Sequence, residues 1–144
     1  MNKVIAIANQ KGGVGKTTTA VNIAASLAAT KRRTLLVDLD PQGNATTATG
    51  VESLDSKTLC SHYFEKTPIN ECIQKTKDNY DVIPGAEELI ALEVSIRSDG
   101  NQAFLSKSLK DLESNYDYTI IDTPPTLNQL TIEGLLCASG TLIP

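Results

Sequence analysis

Lys11, Gly12, Gly13, Val14, Gly15, Lys16, Thr17 and Thr18 lie between a short apolar stretch, Val4-Ile5-Ala6-Ile7-Ala8, and an alanine-rich run that reads as a helix. Glycines, lacking a Cβ, let a loop take left-handed dihedrals and turn its backbone N–H groups onto a polyphosphate. The helix that follows presents its positive N-terminal end to the same anion. Lys16 supplies a point charge for the outer phosphates, and the Thr17 hydroxyl is placed to ligate Mg²⁺. A structural strand–turn–helix could use some of these glycines, but has no use for a lysine and two threonines in this order. Residues 11–18 are therefore expected to hold a nucleotide.

Two further segments end apolar strands in acids. In Thr34-Leu35-Leu36-Val37-Asp38-Leu39-Asp40-Pro41-Gln42-Gly43-Asn44, the i, i+2 spacing of Asp38 and Asp40 points both carboxylates to one side. Buried like charges that close are costly without a cation, so Mg²⁺ and a lysine are natural partners. The second segment is Tyr118-Thr119-Ile120-Ile121-Asp122-Thr123-Pro124-Pro125. It places Asp122 at a C-terminal strand end, where open α/β sheets bind ligands. Any one of these acids could be a helix cap or turn residue. All three motifs in order, each at a strand end, argue against coincidence.

The second lysine sharpens the reading. Lys11-Gly12-Gly13-Val14-Gly15-Lys16-Thr17-Thr18 resembles the deviant Walker A motif of the ParA family of partition ATPases. The likeness extends from residue 2 to the end of the chain, and the segment from Asp38 to Asn44 resembles the chromosomal and plasmid branch. The resemblance implies that Lys11 reaches the phosphates bound by the partner in a nucleotide-sandwich homodimer. It implies that Asp38 lies near the water shell of Mg²⁺, that Asp40 orients the attacking water, and that Asp122 is the Walker B carboxylate. Lys11, Lys16 and Asp40 are then catalytic, while Thr17, Asp38 and Asp122 serve the metal, the aspartates through water. The implied activity is slow, Mg²⁺-dependent ATP hydrolysis that switches dimerisation and DNA association. A ParB-type centromere-binding protein would stimulate it, and the implied role is plasmid or chromosome segregation. The preference for ATP over GTP rests on the resemblance alone.

The family continues past Leu142-Ile143-Pro144 into segments that carry adenine, dimer and nonspecific DNA contacts. The chain is accordingly expected to be the N-terminal part of such an ATPase, or a shortened relative. Three rival readings follow. One is an interaction module without efficient turnover. Another is a division-site relative, although no membrane-binding amphipathic helix is visible. The third, an iron–sulfur relative, is disfavoured by the settings of Cys60, Cys72 and Cys137.

With 144 residues, the chain is one domain's worth, 1–144. Its aromatic content of 4% suggests an aliphatic core, and its net charge of −4 disfavours a nucleic-acid-coating surface. The scattered cysteines fit a reducing cytosol, and no apolar run approaches membrane-spanning length, so a cytoplasmic location without membrane contact is expected. Nucleoid association would follow if the full family cycle operates.

Positioning these residues requires alternating strands and helices: an α/β P-loop NTPase fold, its mostly parallel sheet covered on both faces and ending after a fifth strand. Strands are expected at 3–9, 34–38, 80–84, 118–122 and 141–143. Helices are expected at 15–30, 58–64, 69–75, 87–98, 102–115 and 131–138. Residues 41–50 read as a γ-phosphate switch in which Asn44 could cap a short helix. Lys31-Arg32-Arg33 reads as a helix C-terminus before it reads as a DNA patch. His62 reads as a surface residue, and Asn128 stands where the family often has glycine. A sheet ending at a fifth strand would expose an apolar edge.

Overall fold

A computed structural model describes residues 2–9, 11, 15–52, 57–100 and 103–144. Its centre is a sheet in the order β3-β4-β2-β5-β1-β6. Strands β1 (Lys3–Ile7), β2 (Thr34–Asp38), β4 (Asp81–Ile83), β5 (Tyr118–Asp122) and β6 (Gly140–Leu142) run parallel. The short β3 (Gln74–Lys75) pairs antiparallel with β4. Strand β2 is buried along its whole length, as a strand covered on both faces must be.

Alternation along the strands feeds two cores. Leu35, Val37 and Ile121 point to one side, where they meet α3 (Leu59–Glu65), α4 (Leu89–Asp99), α5 (Phe104–Lys110) and α6 (Gln129–Cys137). Leu36, Ile120 and Ile7 point to the other, against α1 (Lys16–Ala29) and α2 (Asn44–Ala48). Small residues let α1 lie close to the sheet, with Ala20, Ala24 and Ala28 buried. Val21, Ile23, Ala25 and Leu27 pack beside them and are only partly covered.

The basic triplet finishes α1 structurally. Lys31 takes a left-handed φ of 64°, and the N–H groups of Lys31 and Arg32 bond back to Ala28 and Leu27, a Schellman ending. Arg33 pairs with Asp117 ahead of β5 at 3.1 Å.

Several expectations need correction. Residues 69–75 form not one helix but a 3₁₀ turn (Ile69–Cys72) followed by β3, so the sheet gains an antiparallel edge and β6 is its sixth strand. The turn from Thr76 to Tyr80 fixes this, with Asn79 at φ 67° and the Thr76 N–H and hydroxyl both donating to the Tyr80 carbonyl. Gly43, left-handed at φ 66°, caps α2, and Asn44 is its first helical residue. Helix α5 ends at Lys110 rather than near 115, and begins without a local cap. Its cap comes from α6, where the buried Glu133 carboxylate accepts from the Ala103 and Leu105 N–H groups at 3.0 and 2.9 Å. His62 is not a free surface residue. Its ring nitrogens bond the Thr67 carbonyl at 2.6 Å and the Ser108 hydroxyl at 2.8 Å, tying α3 to α5. Asn128 caps α6 by accepting from the Thr131 N–H.

The apolar edge expected at the end of the chain is present. Leu136 on α6, Leu142 on β6 and Ile143 beyond it are exposed. Among the described residues, no helix is long and apolar enough to cross a membrane.

Candidate nucleotide-binding site

The tips of β1, β2 and β5 meet at the N-terminus of α1. Thr123 fastens β5 to β1, its N–H and hydroxyl both donating to the Ile7 carbonyl. The Leu39 N–H does the same for β2, donating to the Asp122 carbonyl at 2.9 Å. Gly15 enters α1 at φ 80°, a conformation that glycine takes without the penalty of a Cβ.

Lys16 and Thr17, the first residues of α1, converge on one carboxylate. The Lys16 ammonium donates to Asp122 Oδ1 at 2.5 Å, and the Thr17 hydroxyl donates to Oδ2 at 3.0 Å. Asp122 is fully buried and Lys16 nearly so. Burial raises the Asp122 pKa, and the bonds from Lys16 and Thr17 oppose that rise. A lysine and a hydroxyl gathered on a carboxylate at a helix N-terminus can trade partners with a phosphate.

Asp38 lies beside Asp122 in register across β2 and β5 but has other partners. Its Oδ2 accepts from the Thr46 N–H at 2.9 Å and hydroxyl at 2.7 Å, and its Oδ1 accepts from the Asp40 N–H at 3.0 Å. Burial pushes its pKa up to about 6, and the neighbouring Asp122 charge adds to the rise. Asp40, also buried, accepts from the Gln42 N–H at 3.0 Å and contributes to the upward shift of Asp122. The three acids therefore form one electrostatic group.

Lys11 is exposed, its backbone N–H bonded to the Asn9 side chain at 2.8 Å. Thr18 is exposed on α1. Gly12, Gly13 and Val14 lie outside the described residues. Sequence reasoning missed Thr46 and Gly85, which close over Asp38. The Gly85 N–H donates to the Thr46 hydroxyl oxygen at 2.7 Å, and a Cβ at Gly85 would come within 2.7 Å of Asp38 Cγ. The available signals were the threonine hydroxyls within residues 41–50 and the Pro84-Gly85 pair that follows β4. A cleft of about 640 Å³ opens beside this segment, between Gln42, Thr47 and Glu87.

A family model described as an AAA domain matches residues 2–144. The chain belongs to the AAA domain family. Within that family it is of the ParA/Soj type. It is 45% identical over 147 residues to the chromosome partitioning protein ParA of Myxococcus xanthus, covering 100% of this chain and 52% of that protein. It is 43% identical over 147 residues to the sporulation initiation inhibitor protein Soj of Bacillus subtilis, covering 100% of this chain and 58% of that one. The chain thus spans about half the length of the curated relatives it matches. Among solved structures, cobyrinic acid a,c-diamide synthase from Mycobacterium smegmatis with bound ATP analog and magnesium superposes with a TM-score of 0.94 at 35% identity. That match covers 100% of this chain and 60% of the synthase. The fold of this ParA/Soj-type chain is thus shared with a solved structure that carries a different name.

Proposed function

We propose that this chain carries the ATP- and Mg²⁺-binding half of a partition-type switch and hydrolyses ATP. The observation that carries the reading is the convergence of Lys16 and Thr17 on buried Asp122 at the start of α1. The oxygen donors fit a hard cation: the Thr17 hydroxyl as a direct ligand, with Asp122 and Asp38 acting through water. Bound Mg²⁺ would neutralise charge on the β- and γ-phosphates. Lys16 would exchange Asp122 for phosphate oxygens and, with Lys11, stabilise charge that develops in the transition state. Asp40 would orient the attacking water. Residues 11–18, including Gly12, Gly13, Val14, Gly15 and Thr18, would wrap the phosphates with backbone N–H groups.

The exposed position of Lys11 suits a residue that serves a second copy in an ATP-dependent homodimer. Loss of the γ-phosphate would release the 41–50 segment and the dimer. The name of the Myxococcus relative supports a role in chromosome partitioning; the reading adds plasmid partitioning, a ParB-type partner and a cytoplasmic, nucleoid-associated location. The same reading includes nonspecific association with DNA. The exposed apolar surface of α6 and β6 supports a second reading, an ATP-binding module that works by pairing with another chain.

Phosphate release from Mg²⁺-ATP tests the hydrolytic reading. Slow release that Asp40→Ala lowers about a hundredfold while ATP binding persists is the expected result. Equal release by both proteins contradicts it.

A further inference from the structure

We propose that Thr46 is a positioning residue for Asp40, acting through Asp38 and anchored by Gly85. The inference rests on the reading of Asp40 as the group that orients water.

The chemistry of one hydroxyl carries it. Thr46, almost fully buried, donates its single proton to Asp38 Oδ2 at 2.7 Å and accepts the Gly85 N–H at 2.7 Å. Its own N–H donates to the same Asp38 oxygen at 2.9 Å. The other Asp38 oxygen accepts the Asp40 N–H at 3.0 Å. Asp38 therefore joins α2 to the backbone of Asp40, and the Thr46 hydroxyl ties that joint to the end of β4.

Steric contacts close the same joint. A Cβ on Gly85 would lie 2.8 Å from the Asp40 carbonyl oxygen, and one on Gly43 would lie 3.0 Å from the Gly85 carbonyl oxygen. Two glycines thus let the segment after Asp40 lie directly on the β4 exit. The Thr49 hydroxyl extends the tie by donating to the Thr46 carbonyl at 2.6 Å. None of these hydrogen bonds involves Lys16 or Asp122, so losing one can change how Asp40 is held while the bonds that gather Lys16 and Thr17 stay in place. Serine can make both hydroxyl bonds, whereas valine keeps the shape and makes neither.

The test uses the whole 144-residue chain as wild type, Thr46→Val, Thr46→Ala and Thr46→Ser, each checked for folding by circular dichroism. Three readouts are taken: Mg²⁺-ATP turnover at saturation, affinity for a fluorescent ATP analogue, and amide hydrogen exchange over 43–49. Thr46→Val is expected to lower kcat by about 10- to 100-fold while affinity stays within about twofold. Its 43–49 amides should exchange about tenfold faster or more, as loss of a bond to a charged group allows, with β2 and β5 unchanged. Thr46→Ser should restore kcat and exchange to within about threefold of wild type.

Wild-type kcat in folded Thr46→Val overturns the proposal, as does an equal loss in Thr46→Ser. If Thr46→Val does not fold, Thr46→Ala is judged by the same criteria. If the folded wild type neither binds nor turns over ATP, the ATPase reading fails separately. Exchange then decides whether Thr46 holds the joint, and unchanged 43–49 amides in the variant overturn it.

Discussion

Asp38 and Asp122 face each other in register on adjacent strands, both fully buried, yet they answer to different parts of the chain. Asp122 takes its bonds from the side chains of Lys16 and Thr17, on the helix that follows the glycine-rich loop. Asp38 takes its bonds from Thr46 and from the Asp40 backbone, in the segment that follows its own strand. One carboxylate balances a cation that a phosphate could take over. The other is saturated by neutral donors and holds a neighbouring segment in place. Residue type and depth of burial are the same, so the elements that reach each acid set its task.

The sharpest way to break this comparison is to neutralise each acid without changing its size. Asp122→Asn leaves the Lys16 ammonium buried beside an amide, and should cost about 3–5 kcal/mol of stability in urea unfolding at neutral pH. Asp38→Asn removes a charge whose burial is unfavourable and forfeits one accepted bond, so the two effects offset to within about 1 kcal/mol at pH 7. Equal costs for the two variants would collapse the distinction.

A smaller effect sharpens it through pH. The folded pKa of Asp38, about 6, lies above the ordinary 3.8, so the folded state holds this proton more tightly than the unfolded chain. Stability from this group is therefore lowest above pH 7 and grows as pH falls through 6 toward 4. Relative to Asp38→Asn, wild type should gain roughly 2–3 kcal/mol over that range. Parallel pH curves for the two proteins would mean that Asp38 is not held as described.

What was legible in the sequence was local. The strand–loop–helix around Lys16 and the acids at 38, 40 and 122 are written in contiguous residues whose periodicity and glycine content have few alternatives. What escaped depends on partners far along the chain. Thr46 meets Gly85 across 39 positions, and α5 is capped by Glu133 from 28 positions away at Leu105. His62 joins Ser108 across 46 positions. Strand β3 was hidden for a related reason, because two residues carry no periodicity and exist as a strand only by pairing with β4.

The central claim is that α1 and β5 together form a polyphosphate site, and equilibrium binding of a fluorescent ATP analogue with Mg²⁺ tests it most directly. Saturable binding by the folded chain is predicted, weakened about a hundredfold by Lys16→Ala. Binding indifferent to Lys16→Ala, or none by a folded chain, would contradict it.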